Sequence, residues 1–233
     1  MWISTDFPII FYLTLLLVGI SFVQADSKGV DVSSLTSTSA FQCVKGQGYT
    51  RAGVRAYIEA WGGNPGGKVD ANLVQNYNNA IAAGLSVDLY IFPCTGRSTC
   101  KSPATQASEA IDAMNANHMQ IGTIWLDVEV DPQSNNWPDV TTNQNTLTAF
   151  KTALDDSKLN WGVYSSQSQW ETVTGSTNWE LDSSKPLWYA HYDNNPSFSD
   201  FTAFGGWTAP TAKQYAGDAS LCGGSFDLNY YST

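Results

Sequence analysis

The stretch that decides the fold reads Ile121-Gly-Thr-Ile-Trp-Leu-Asp-Val-Glu-Val130. An apolar, β-branched run of this length is what a strand covered on both faces looks like. It ends in Asp127 and Glu129, spaced i and i+2. Side chains alternate along a strand, so the two carboxylates share one face, with Cα atoms ~6.5 Å apart. Packing gains nothing from two acids at the end of a covered strand, whereas proton chemistry at the mouth of a sheet or barrel does. Asp131 extends the series to Asp-x-Glu-x-Asp, so two competing readings stand beside that one: a divalent-metal site on Asp127, Glu129 and Asp131, and a solvated strand end.

Outward from this strand, apolar runs alternate with helical patterns. Gly29–Ser33, Gly53–Ala60 and Leu85–Pro93 read as strands before it. Between the last two lies a helix that Asp70 can cap and Gly84 can end, with Leu73, Val74, Tyr77, Ala80 and Ile81 as its apolar stripe. Ser102-Pro103 starts the next, with Ala107, Ala110, Ile111 and Met114 on one face. After the Asp-x-Glu strand come a helix carrying Leu147, Phe150 and Leu154 and a strand Trp161–Ser165. Lys185–Tyr192, Lys213–Tyr215 and Ser225–Tyr230 read as late strands with no strong helices between them. Alternation of this kind indicates parallel α/β architecture. With close to eight strands, it predicts an irregular (β/α) barrel whose helices thin out in the C-terminal part, and active sites of such barrels sit at the carboxyl ends of the strands.

The bulk numbers bound the rest. Phe7–Val23 is almost wholly apolar and Val23-Gln24-Ala25 is a small-x-small cleavage pattern, so residues 1–25 read as a secretory signal peptide and residues 26–233 as one domain. No Lys or Arg precedes the apolar run, which leaves an uncleaved anchor as the alternative; no later segment has the ~18 apolar residues that a span needs. The four cysteines, Cys43, Cys94, Cys100 and Cys222, suggest two bridges out of three possible pairings. Cys94 and Cys100 bracket a short polar loop, and Cys43 with Cys222 would tie the ends of the domain together. A zinc site is disfavoured by the spacing and by a histidine complement of only His118 and His191. A net charge of −10 and a pI near 4.4 argue against nucleic acid or an anionic membrane as partner and point to an acidic working environment.

Other chemistries are weak. Gly62–Val69 nearly matches a phosphate-binding loop but has Val69 where the metal-binding hydroxyl belongs. No G-x-S-x-G elbow occurs, and His191 falls on the outer face of its strand. No cofactor is expected. Asn195-Pro196-Ser197 fails as a glycosylation site because of its proline.

Seven segments in order, Gly-Val-Asp-Val-Ser (29–33), Tyr90-Ile-Phe92, Asp127-Val-Glu129, Gly-Val-Tyr-Ser-Ser (162–166), Trp188-Tyr-Ala-His-Tyr192, Gln214-Tyr215 and Asp227-Leu-Asn229, resemble glycoside hydrolase family 25, the N-acetylmuramidase lysozymes. Phe41-Gln-Cys43, Phe92-Pro-Cys94, Ser168-Gln-Trp170, Phe198–Phe201 and Phe204–Trp207 are similar to its nematode and protist branch. The resemblance implies an irregular barrel, Glu129 as general acid, Asp127 as its partner carboxylate, and Asp31 and Asp227 as further acids of the site, brought together because first and last strands are neighbours in a closed barrel. It further implies that Tyr90, Tyr164, Trp188 and Tyr192 lie near the cleft, where they would bind sugar or simply pack the core, with Trp61 and Gln214 as weaker additions. The expected substrate is bacterial peptidoglycan, cut with help from the substrate's acetamido group or by a direct nucleophile. The protein is expected to be a monomer, secreted or lysosomal. A non-catalytic sugar-binding barrel and a hydrolase of chitin-like polymers are the alternatives.

Overall fold

The structure is a computed structural model and describes residues 27–59, 65–131 and 136–231. The expected signal peptide (1–25), Trp61 and residues 62–64 of the glycine-rich loop lie outside them. The elements are β1 (Ser27–Val32), α1 (Thr38–Gly46), β2 (Tyr49–Ile58), β3 (Lys68–Val69), α2 (Leu73–Ala82), β4 (Ser86–Ile91) and α3 (Pro103–Ala116), then β5 (Ile124–Asp127), α4 (Val140–Ser157), β6 (Trp161–Ser165), α5 (Gln167–Thr174), β7 (Leu187–Ala190), β8 (Ala212–Leu221) and β9 (Gly224–Tyr231).

The sheet runs β1-β9-β8-β7-β6-β5-β4-β2-β3, and β1 also pairs with β2, so all strands but β3 close into a barrel. Neighbours from β1 through β2 and on to β8 are parallel, as the helical crossovers require. β9 reaches β8 by a tight turn and is antiparallel to both β8 and β1. That inserted hairpin strand closes the ring without a final helix, so the barrel is mixed and bare of helices after α5.

Local chemistry sets the helix ends. Ser102 accepts from the Thr105 amide and Pro103 occupies the first turn of α3; Asp139 caps α4 through the Thr142 amide; Ser166 caps α5 through the Gln169 amide. The expected cap at Asp70 is not formed. Its Oδ1 accepts from the Asn72 amide, its Oδ2 takes Arg55, and α2 begins after them. Leu73, Tyr77 and Ala80 of α2 are buried as expected, but Val74 and Ile81 are exposed, because the helix faces the barrel on a narrower stripe. Leu147, Phe150 and Leu154 of α4 are fully buried, each worth about 2 kcal/mol of apolar burial.

The second strand lies four residues earlier than its expected start, at Tyr49, and the short Lys213–Tyr215 expectation becomes the longer β8. Helices α1 and α5 were not legible from periodicity. Two disulfides are present, Cys43–Cys222 and Cys94–Cys100. No helix among the described residues is long and apolar enough to cross a membrane.

Candidate functional site

β5 ends at Asp127, but its pairing continues: the Val128 amide donates to the Tyr164 carbonyl at 2.8 Å and Ser165 Oγ donates to the Val128 carbonyl at 2.7 Å. The chain therefore stays extended through Glu129. Val128 turns outward into the core at 0 % exposure while Asp127 and Glu129 both line one cavity at the carboxyl end of the barrel. The carbonyl of Glu129 is held by Trp137 Nε1 at 2.8 Å and by Asn136 Nδ2 at 3.3 Å. The amide of Val130 donates to Gln169 Oε1 of α5 at 3.0 Å.

Asp31 and Asp227 line the same cavity. They are direct partners in the β1–β9 ladder. Gly53 of β2 makes room for Asp31, since a Cβ there would lie 2.9 Å from Asp31 Cβ. Beneath the acids, Gln214 of β8 uses its whole amide. Its Nε2 donates to Asp31 Oδ1 at 3.0 Å and Asp227 Oδ2 at 3.2 Å. Its Oε1 accepts from the Tyr164 hydroxyl at 2.6 Å and the Tyr192 hydroxyl at 2.7 Å. Asn229 adds a bond to Asp31 Oδ1 at 2.7 Å while accepting from Trp188 Nε1 at 2.8 Å.

The four acids share one electrostatic problem: Asp31 and Asp127 are buried, Glu129 and Asp227 half-buried, and they are like charges crowded together. Burial first, then Asp227, push Asp31 up to about 8 despite hydrogen bonds from Asn229 and Gln214. Burial, then Asp227 and Asp131, hold Glu129 at about 7. Asp127 is raised well above the usual carboxylate range by burial, with Glu129 and Asp31 adding to it. Asp227 is raised by burial, opposed by a bond from the Asp218 amide. One oxygen, Asp127 Oδ1, is buried without a hydrogen-bond partner among the described residues.

The aromatic residues divide. Trp188 is edge-on to Tyr90, Trp125 and Tyr164, with centroids 6.4, 5.7 and 4.7 Å away. These rings are buried and pack as the floor of the cavity. Tyr192 stands on the rim, 57 % exposed. A second cavity shares Glu129, Tyr164 and Tyr192 and runs on past Ser166, Ser168 and His191, so the site is open along the β6–β7 side.

His191 is exposed, outside the barrel, and its Nδ1 pairs with Asp200. Among the described residues, the one group of three metal-type ligands within reach of one another is His191, Asp193 and Asp200. Lys213 Nζ already sits between those two acids at 2.7 and 2.8 Å. Asp127, Glu129 and Asp131 do not form such a group. Arg55, Ser33 and Phe92 also line the acidic cavity and were not anticipated. The signal was available for Arg55, which stands two residues beyond Gly53 on the inward face of β2.

A barrel of this topology with carboxylates gathered at its open rim defines a glycosidase-like site, and comparison with known proteins agrees. The family model for lysozyme-like protein 1 matches residues 23–215. A protein named probable GH family 25 lysozyme 2 from Dictyostelium discoideum is 40% identical over 204 residues, covering 87% of this chain and 90% of its own. Lysozyme-like protein 5 from Caenorhabditis elegans is 38% identical over 223 residues, covering 94% and 98%. The bacterial lysozyme of Streptomyces coelicolor shares the fold at a TM-score of 0.67 with 23% identity, over 90% of this chain and 94% of its own. The chain belongs to the family 25 lysozymes and is a glycoside hydrolase.

Proposed function

We propose that this protein is a lysozyme that hydrolyses the β-1,4 bond between N-acetylmuramic acid and N-acetylglucosamine of bacterial peptidoglycan, with Glu129 as the acid and Asp127 as the group that orients the substrate's acetamido. One observation carries the assignment of roles: Glu129 has its proton affinity raised to about 7 beside an Asp127 whose buried Oδ1 has no donor among the described residues. An acid that keeps its proton near neutrality can protonate a leaving oxygen. A buried carboxylate oxygen without a donor is matched by an N–H arriving with the substrate.

The reaction then follows. Glu129 gives its proton to the glycosidic oxygen as the bond to C1 breaks. The acetamido carbonyl oxygen closes on C1, and Asp127 accepts the acetamido N–H as positive charge develops there. Water then attacks C1, loses a proton to the Glu129 carboxylate, and reopens the ring with retained configuration. Direct attack by Asp127 is the lesser account, because burial among like charges leaves it a poor nucleophile. Asp31 and Asp227, tied to Gln214, line the cavity beside the acid pair and fix its shape around the reacting sugar. Tyr192 at the rim offers an exposed ring face for a sugar, whereas Tyr90, Tyr164 and Trp188 shape the floor.

The acidic composition, the four paired cysteines and the apolar amino-terminal run support export to the cell exterior or to a lysosomal or phagosomal compartment, with the chain acting alone in digestion of, or defence against, bacteria. The test is mass analysis of peptidoglycan digested by the wild type and by Glu129→Gln. Muropeptides with reducing-end N-acetylmuramic acid are expected from the wild type, with turnover lower by at least about 10² in the variant. Products with reducing-end N-acetylglucosamine, or an active Glu129→Gln, overturn the assignment.

A further inference from the structure

Twelve described residues line the acidic cavity, and Arg55 is the one cation among them. It stands on β2 beside Tyr90 of β4 in the sheet register, two strands from Asp127 on β5. Strand spacing puts those backbones ~10 Å apart, within reach of an arginine side chain lying across the barrel mouth. The guanidinium is fixed from behind. Its Nε donates to Asp70 Oδ2 at 2.6 Å and its Nη2 to the Ser33 carbonyl at 2.8 Å. No described residue accepts from Nη1. The side chain keeps 15% exposure at the cavity wall, and it is close enough to Asp127 to oppose that carboxyl's raised proton affinity.

A purely structural staple between β1 and the turn before α2 would need no place in the cavity wall. An anionic or carbonyl group of a substrate finds a matching partner in this cavity only where the wall carries a cation. Two of the amino sugars that this class of site could take differ at one position: N-acetylmuramic acid carries a three-carbon lactyl ether on O3, ending in a carboxyl or carbonyl group, and N-acetylglucosamine carries a hydroxyl. O3 is attached to the ring carbon next to the one bearing the acetamido group. If Asp127 holds the acetamido N–H, the O3 substituent falls on the neighbouring stretch of wall, and Arg55 is the donor there.

We propose that Arg55 is a specificity-determining residue: its guanidinium reads the lactyl carbonyl or carboxylate of the sugar in this cavity and so selects muramyl over glucosaminyl units. This rests on the acid-site reading given under Proposed function. The fixed, planar fork suits a carboxyl or carbonyl acceptor.

The experiment measures dissociation constants in the Glu129→Gln background, so that binding is read without turnover. Two ligands of equal length are compared, an oligomer of alternating N-acetylglucosamine and N-acetylmuramic acid and a chitin oligomer, with the residue at position 55 as Arg, Lys or Met. With Arg55 the muramyl oligomer should bind tighter than the chitin oligomer by about tenfold or more. Arg55→Met should abolish that ratio by weakening the muramyl ligand alone, and Arg55→Lys, which keeps charge without the fork, should fall between. The inference is overturned by a ratio unchanged in Arg55→Met, by equal weakening of both ligands, or by no preference with Arg55 present. Should Arg55→Met fail to fold, the Arg55→Lys ratio decides by the same criterion. Failure of the lysozyme reading would show separately, as absence of wild-type turnover on peptidoglycan.

Discussion

Asp31 and Asp227 face each other as direct partners in the antiparallel β1–β9 ladder, and one side chain, Gln214, donates to both. Two carboxylates from opposite ends of the chain are thereby held side by side at the barrel mouth. The arrangement is tolerated because each accepts hydrogen bonds and because the pair retains protons that free carboxyls would release.

Gln214 is the residue on which this arrangement turns. Gln214→Ala removes two donors from Asp31 and Asp227 and the acceptor shared by Tyr164 and Tyr192. Buried partners left unsatisfied cost about 1–3 kcal/mol each, so thermal melting should show a fall of several degrees together with a loss of turnover. A Gln214→Ala protein that melts like the wild type would show that these bonds contribute nothing net.

The pH dependence follows from the direction of the shifts. Glu129 is held at about 7 and Asp31 at about 8, against ordinary values of 4.5 and 3.8. The folded chain therefore binds these protons more tightly than the unfolded one. The stability they contribute is whole below about pH 4 and is lost as pH rises through 7 to 8. Melting temperature should fall from pH 5 to pH 8, and Asp31→Asn should flatten that fall. Turnover should drop above about pH 7 as Glu129 loses its proton. Activity that climbs from pH 6 to pH 9 would contradict the Glu129 shift, and a melting temperature that rises from pH 5 to pH 8 would contradict both.

The two disulfides should differ in worth. Cys43–Cys222 closes a loop with a separation of 179 residues and Cys94–Cys100 one of 6. Loop-closure entropy assigns about 5 kcal/mol to the first and about 2 kcal/mol to the second. In denaturant titrations, a Cys43→Ser, Cys222→Ser double variant should therefore unfold well before the matching variant of the short loop. Equal midpoints would place the effect in the native state rather than in the unfolded chain.

Lys213 is fully buried at 0% exposure between Asp193 and Asp200, with Asp200 also bonded by the Tyr189 hydroxyl and His191. These contacts pin the long segment that carries Tyr192 to the β8 strand. Lys213→Met should destabilise the fold by about 3–5 kcal/mol, because two partly buried carboxylates lose their counter-ion. Adding Asp200→Asn should recover part of the loss. No recovery in chemical denaturation would mean that packing of the lysine stem, and not its charge, is what counts.

Much of this molecule is written in local patterns. The apolar run ending in Asp127-Val-Glu129, the serine-proline start of α3, the stripe Leu147, Phe150, Leu154 and the strand Trp161–Ser165 each report a short-range physical rule, alternation or helical spacing, that holds wherever the segment ends up. The family motifs added Asp31 and Asp227, which no local rule links to Asp127. What only the tertiary structure decided is convergence. That β9 runs antiparallel between β8 and β1, that Gln214 binds four side chains, and that Arg55 joins the acids while Asp131 does not all depend on which strands become neighbours when the ring closes. Sequence spacing records the face a side chain occupies on its own strand; it carries no information about what the strand across the barrel presents, and the proton affinities of the site arise from that encounter.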